Sequence, residues 1–195
     1  MLLRTEEIKR KIIHLSNSVI PLSYYFFVED QMMIWILLSI TIFFVIVDYF
    51  RFRISWIQKW FRIFFSSMLR KHELEGKLTG ATWAFIGATI SVFLFEKDIA
   101  VLALLFMSVG DTVAALIGQQ YGKIKIGEKT IEGFAGGLVS CLFISIFFPS
   151  VIWINSIAGS LIASLIELSP IPVDDNLMIP LISGGMMTLF RGIIL

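Results

Sequence analysis

Apolar runs of about 16 to 20 residues follow one another along this chain, joined by short polar stretches. That succession constrains the fold more than any single residue does. The runs cover roughly 12–28, 31–50, 80–95, 99–118, 134–149, 151–168 and 177–195. A helix needs ~20 mostly apolar residues to cross ~30 Å of hydrocarbon, so each run is read as a membrane span. Of the 195 residues 57% are hydrophobic and 16% charged, against ~45–50% and ~25% in soluble domains. A soluble globule of this size has too little interior to hide that surface. A soluble enzyme is excluded, and so is a disordered chain, whose signature is low hydrophobicity with high net charge. The net charge of +1 gives no field that favours nucleic acid as a partner. Cys141 is the one cysteine, which excludes an internal disulfide and cysteine-rich zinc spacing. The predicted fold is therefore all-α: a polytopic membrane helix bundle of about seven spans, forming one integral membrane domain over 1–195.

The first run begins with charges and then turns apolar, as a signal peptide does. No small-residue cleavage site follows; the chain continues through Tyr24-Tyr25-Phe26-Phe27 to Glu29-Asp30, so it is read as a mature span. Alternating the loops puts Arg4, Lys9, Arg10, Lys11, Arg51, Arg53, Lys59, Arg62, Arg70, Lys71, Lys77, Lys123, Lys125 and Lys129 on one side. Lys97 and Arg191 fall on the other. By the positive-inside rule the first side, with the N-terminus, is cytoplasmic. Residues 53–72 are too charged to span. Ile57, Trp60, Phe61, Phe64 and Met68 share one helical face, which predicts an amphipathic helix in the cytoplasmic interface. Such a helix serves as a simple anchor or as a gate for lipid.

Ionisable groups within or at the ends of spans are functional candidates by default. Here they are His14, Asp48, Asp111, Glu132, Glu167, Asp174 and Asp175, all on or near the cytoplasmic side. One polar site is expected there. Asp48 also has a structural reading, paired with Arg51 or Arg53. The densest stretch is 108–137, with glycines at 110, 118, 122, 127, 133, 136 and 137. Glycines serve helix packing in membranes, as Gly133-x-x-x-Gly137 would. Packing does not explain the interleaved Asp111, Lys123, Lys125, Lys129 and Glu132. Lysines with open backbone amides suit an oligophosphate, and nearby carboxylates suit Mg²⁺. The loop has neither a Walker A nor a Rossmann pattern.

Gly110-Asp111-Thr112, Ala114-Ala115, Gly118, Gly122 and Lys129-Thr130-Ile131-Glu132-Gly133 together resemble the core motif of the CTP-using membrane lipid enzymes. That superfamily holds phosphatidate cytidylyltransferases and the CTP-dependent lipid-alcohol kinases acting on dolichol, phytol or diacylglycerol. Glu7-x-x-Arg10-Lys11-x-x-His14 with Pro21, then Leu78-Thr79-Gly80-Ala81-Thr82, then Glu167, Pro170, Asp174-Asp175-Asn176-Leu177 and Pro180 are similar to motifs of the polyprenol-kinase branch. The cytidylyltransferases' C-terminal Lys-Arg, Lys-Asp, His-Gly-Gly and Asp-Arg signature is absent. The resemblance implies a CTP-dependent kinase that phosphorylates the hydroxyl of a membrane lipid alcohol of polyprenol, dolichol or phytol type. CTP would be the cosubstrate and Mg²⁺ the metal, with the active site cytoplasmic. A cytidylyltransferase and a CTP-dependent diacylglycerol kinase stand as alternatives. A transporter would place its charges near mid-membrane in matching repeats, and no repeat is visible. A homodimer is compatible with the reading.

Phosphoryl transfer needs positioning and charge neutralisation more than covalent catalysis. On that reading Lys129, with Lys123 or Lys125, neutralises the triphosphate, and Gly110, Gly127 and Gly133 let the backbone close on it. Thr112, Gly122, Thr130 and Asn176 complete the nucleotide contacts through the motifs they belong to. Asp111, Asp174 and Asp175 are the expected Mg²⁺ ligands, although Asp174-Asp175-Asn176 also reads as a helix cap. Glu132, three residues after Lys129, is expected to orient it. Arg10, Lys11 and His14 lie at helical spacings, suited to phosphate or, for His14, to the lipid hydroxyl. Asp111 is the first candidate for general base. Gly80, Ala84 and Ala88 make a smooth face for close packing or for bordering a lipid tail.

Overall fold

The computed structural model describes residues 5–65, 73 and 76–194. It is all-α apart from one small hairpin. The helices are α1 (Thr5–Ser16), α2 (Val19–Phe27), α3 (Asp30–Phe50), α4 (Ser55–Phe65), α5 (Gly80–Leu94), α6 (Lys97–Tyr121), α7 (Ile131–Ser145), α8 (Trp153–Leu168) and α9 (Asp175–Ile194). Strands β1 (Lys125–Ile126) and β2 (Lys129–Thr130) pair antiparallel around Gly127, whose φ of +62° suits a residue without a Cβ. Side-chain caps start three helices. Thr79 accepts from Thr82 N, Thr130 from Gly133 N, and Asp174 from Asn176 N.

α6 is the axle of the bundle. Ile99 through Leu105 are all at most 4% exposed, and the helix touches α1, α2, α5, α7, α8 and α9. Within it Phe106–Gly110 winds as a π-turn, a local widening of the helix common at functional sites. α5 and α9 meet closely at one point. Pro180 has no N–H to give the carbonyl of Asn176, and Gly87 lies against that carbonyl instead. A Cβ on Gly87 would come within 2.5 Å of the oxygen.

The expected seven spans are met only in part. Among the described residues α3 and α6 alone are long and apolar enough to cross a membrane. α5, α7 and α8 are apolar but hold 15, 15 and 16 residues. At 1.5 Å per residue they reach about 22–24 Å, short of ~30 Å. The first run is not one helix, since α1 ends at Ser16 and α2 restarts at Val19. Ser18 turns its hydroxyl to that of Ser108 at 2.9 Å. Outward-facing Trp35, Phe43, Phe93, Val139, Phe143 and Phe147, each at least 60% exposed, form an apolar surface of the kind that faces lipid.

α4 confirms a helix in the amphipathic segment, but its apolar residues divide between two sides. Ile57 and Phe61 turn inward, and Trp56, Trp60 and Ile63 outward. Met68, Arg70 and Lys71 lie outside the described residues, as does Arg4. The two sets of loops occupy opposite ends of the bundle. Lys97 reaches Asp30 and the Val28 carbonyl, and Arg191 pairs with Glu96, at one end. The other end gathers the remaining ion pairs.

Candidate active site

Asp111 opens the half of α6 that follows the π-turn. Its Oδ2 lies 2.8 Å from Lys11 Nζ and 3.0 Å from His14 Nε2. Lys11 and His14 project together because they are three residues apart on α1. His14 Nε2 also lies 3.0 Å from the carbonyl of Met107, inside the π-turn. Both neighbours are acceptors, so Nε2 carries the proton and His14 meets Asp111 as a donor. α6 thus receives two donors from α1 at one carboxylate.

The second cluster is built on Lys129. Strand β2 holds its stem, and Nζ lies 2.7 Å from Asp175 Oδ2 and 3.2 Å from Glu167 Oε1. Burial opposes the charge on Lys129, but Glu167 and then Asp175 outweigh it and hold the ammonium above its ordinary range. Burial also pushes Asp175 above the usual carboxylate range. Lys129 pulls it back incompletely, with the Asp111 and Asp174 carboxylates adding to the rise. Asp174 Oδ1 accepts from both N and Nδ2 of Asn176, so the cap read from the sequence is present. Asn176 Nδ2 also donates to the Gly80 carbonyl at 3.3 Å, fixing α9 to the start of α5.

Asp48 has the structural partners foreseen for it. Its carboxylate takes the N-terminus of α5 through Thr79 N at 2.8 Å, Thr79 Oγ1 and Thr82 Oγ1, and it pairs with Arg51 Nε at 3.2 Å. Arg51 donates to the carbonyls of Glu73 and Lys77 and lies over the rings of Phe52 and Phe61. Glu73 Oε1 in turn accepts from Gly80 N.

Several of these groups line one cavity of about 230 Å³; Lys129 and Glu167 stand behind its wall, reaching it through Asp175. Its polar wall carries Arg10, Lys11, His14, Asp48, Asp111, Asp175 and Asn176. Farther along α2, α3, α5 and α6 the lining becomes Ile20, Pro21, Phe44, Ala84, Phe85, Ala88 and Leu104. Gly87 packs closely on α9, and Gly80, Ala84 and Ala88 border the open slot.

Other predicted residues stand elsewhere. Glu132 does not orient Lys129, because Lys129 lies on β2 and α7 starts only at Ile131. Both Glu132 oxygens face Ile124 N at 3.3 Å, and backbone N–H donors hold its carboxyl below the usual range. Gly110 is packed on Cys141 Sγ, Gly133 on Ala114 O, and Gly122 on Gly118 O and Thr130, positions where a Cβ would clash. Thr112 spends its hydroxyl on Ser108 O, and Thr130 caps α7. The structure gives these five packing and capping roles in place of an open phosphate cradle. Gly127, Lys123 and Lys125 are exposed on the hairpin. Among the described residues no three of His, Cys, Asp and Glu converge to cage a metal ion.

Glu167, counted among the expected polar groups but given no role, shares Lys129 with Asp175. Thr79, named only within a motif, stands on the cavity wall with Glu73 and Asn17, which the sequence reading does not name. A buried glutamate near a helix end was the available signal for Glu167. Thr79 was readable as a cap and Asn17 as a polar residue in an apolar run.

The cavity thus has a charged rim over an apolar slot, within an all-α bundle. No protein-family model matches the chain, and no solved structure does. Among characterised and uncharacterised relatives, the chain is 31% identical over 186 residues to uncharacterized protein RP860 of Rickettsia prowazekii, covering 90% of each. It is 27% identical over 207 residues to CTP-dependent diacylglycerol kinase 1 of Saccharomyces cerevisiae, covering 91% of this chain and 71% of that one. It is 31% identical over 108 residues to probable phytol kinase 1, chloroplastic, of Glycine max, covering 46% and 36%. The chain is similar to CTP-dependent lipid kinases.

Proposed function

We propose that the chain transfers the γ-phosphate of CTP to the hydroxyl of a membrane lipid alcohol. One observation carries this reading: the cavity joins a polar wall of Arg10, Lys11, His14, Asp111 and Asp175 to an apolar slot. A lipid lying in the slot presents its hydroxyl to Asp111 and His14, between the two lysine clusters. Lys11 and Lys129 neutralise phosphate charge, aided by Arg10 and by Lys123 and Lys125 on the hairpin. Asp111 orients the hydroxyl and is our candidate to accept its proton; His14 holds that carboxylate in place. Asp111, paired with Lys11, and Asp175, paired with Lys129, offer a two-carboxylate, hard-oxygen donor set. That set fits Mg²⁺, which takes one or two carboxylates and completes its shell with phosphates and water. Asp111 and Asp175, with Asp174 beside them, are the ligands we assign; Mg²⁺ bound there supplies positive charge to the phosphates.

In this reading the bundle is a multi-pass membrane protein with its charged end cytoplasmic. α4 rests in the interface, with Trp56 and Trp60 toward lipid headgroups. Short α5, α7 and α8 are accommodated by tilt of their neighbours or by local thinning of the bilayer. Polyprenol, dolichol and phytol type alcohols are the substrates we favour over diacylglycerol, on the motif resemblance at Arg10-Lys11-His14 and at Asp174-Asp175-Asn176.

The test uses purified protein in detergent with Mg²⁺, candidate lipids and CTP labelled separately at the α- and γ-phosphates. Label from the γ position in the lipid, with CDP released, is the expected result. Label from the α position, with pyrophosphate released, would make the chain a cytidylyltransferase and sink the proposal.

A further inference from the structure

Resting on the kinase reading above, we propose that Ala84 and Ala88 make the slot a ruler for the first part of one hydrocarbon chain. The polar groups lie together at its upper end: Asp48 at the close of α3, Gly80 at the start of α5, Asp111 in α6, Asp175 at the start of α9. From Gly80 to Ala88 the slot runs eight residues along α5, about 12 Å at 1.5 Å per residue. Its apolar walls include Ile20, Pro21, Phe44, Phe85 and Leu104, and on the α5 face Ala84 and Ala88 follow Ala81 as short side chains farther from the polar end.

The volume decides how much lipid fits. A dry apolar cavity of ~150 Å³ takes a benzene molecule. Scaled to this cavity of about 230 Å³, polar end included, that is at most roughly nine carbon atoms, an upper bound just under two isoprene units. The glycerol and two ester groups of a diacylglycerol would fill the same space before either chain began, and would lay ester oxygens against apolar walls. A single-chain alcohol puts its hydroxyl at the polar wall and carbon everywhere else. Carbons beyond the first two units lie past the described walls and are not measured by them.

The experiment compares dimethylallyl alcohol, geraniol, geranylgeraniol and dioleoylglycerol as acceptors from γ-labelled CTP, using the full chain in detergent. These alcohols carry one, two and four isoprene units. We expect kcat/KM to rise at least tenfold from one unit to two, to change little from two to four, and to be lower for dioleoylglycerol than for geraniol. Ala88→Leu should cut the two-unit over one-unit ratio by about tenfold, and Ala84→Leu, nearer the hydroxyl, by more. Each ratio is taken within one preparation, so the fraction of folded protein cancels. Unchanged ratios in both variants, or a wild-type preference for dioleoylglycerol, would overturn the ruler and leave the kinase standing. Failure of every lipid to accept the γ-phosphate would overturn both.

Discussion

Lys129 has carboxylates on two sides, and the charges do not balance. The ammonium gains from Glu167 and Asp175, yet Asp175 does not recover the cost of its burial, because Asp111 and Asp174 act on the same carboxylate. The sign follows from linkage. A carboxyl raised in the folded state binds its proton more tightly there than in the unfolded chain. Its charge therefore costs stability once pH exceeds its folded range, and the cost fades as pH falls through the ordinary carboxylate range. Asp175→Asn is expected to raise Tm by a few degrees at pH 7.5, with the gain shrinking toward pH 4, while turnover falls at least 100-fold. Lys129 keeps Glu167, so no buried cation is orphaned. Thermal unfolding across that pH range, beside an activity assay, checks it; a lower Tm at pH 7.5 would show that Asp175 stabilises the unliganded fold. At this scale the sequence was partly legible. His14, Asp111 and Asp175 are read as one site from charges at span ends, Lys11 and Asn176 join them through the motif resemblance, and all five line one cavity. The Glu132–Lys129 pairing failed because i,i+3 spacing means contact only inside a helix, and the chain between them leaves a strand. Gly110, Gly122 and Gly133 look alike in a motif whether the close approach is to a ligand or to Cys141 and a neighbouring helix.

Between elements, the contact that sets the site is the crossing of α5 and α9 at Gly87. α9 carries Asp175 and Asn176 in its first turn, and the Asn176 carbonyl faces Gly87 because Pro180 cannot bond it. A methyl group there has backbone against it, not a side chain that can turn away. Gly87→Ala is expected to cost about 1–3 kcal/mol by overpacking and to push the first turn of α9 off the polar wall. Activity should drop more than tenfold although position 87 lies two turns from Gly80, and a parallel assay of stability and turnover tests this. Wild-type turnover would show that α9 is placed by other contacts. Helix identity was readable from apolar runs, but the break between α1 and α2 was not. No proline or glycine marks residues 17–18, and the break rests on Ser18 meeting Ser108, 90 residues away. The π-turn was equally silent, since its partner His14 comes from a distant helix.

For the whole molecule, the proposed orientation follows from the excess of lysine and arginine in the loops at one end. Lys125 and Glu29 are exposed at opposite ends, and Cys141 is buried, so the wild-type chain carries no accessible thiol among its described residues. Lys125→Cys is expected to react with a membrane-impermeant maleimide only from the cytoplasmic side, and Glu29→Cys only from the other. Labelling of both from the same side would refute the multi-pass arrangement.

The buried axle α6 has one more consequence. It is apolar enough to dissolve in lipid, yet its first half is wrapped by protein on every side. Embedded as proposed, a chain that loses its tertiary packing need not expose this helix to water; the helix simply exchanges protein neighbours for acyl chains. Denaturation then becomes lateral separation in two dimensions. Damaged copies would stay inserted and silent, recognised by lost helix–helix proximity and not by precipitation.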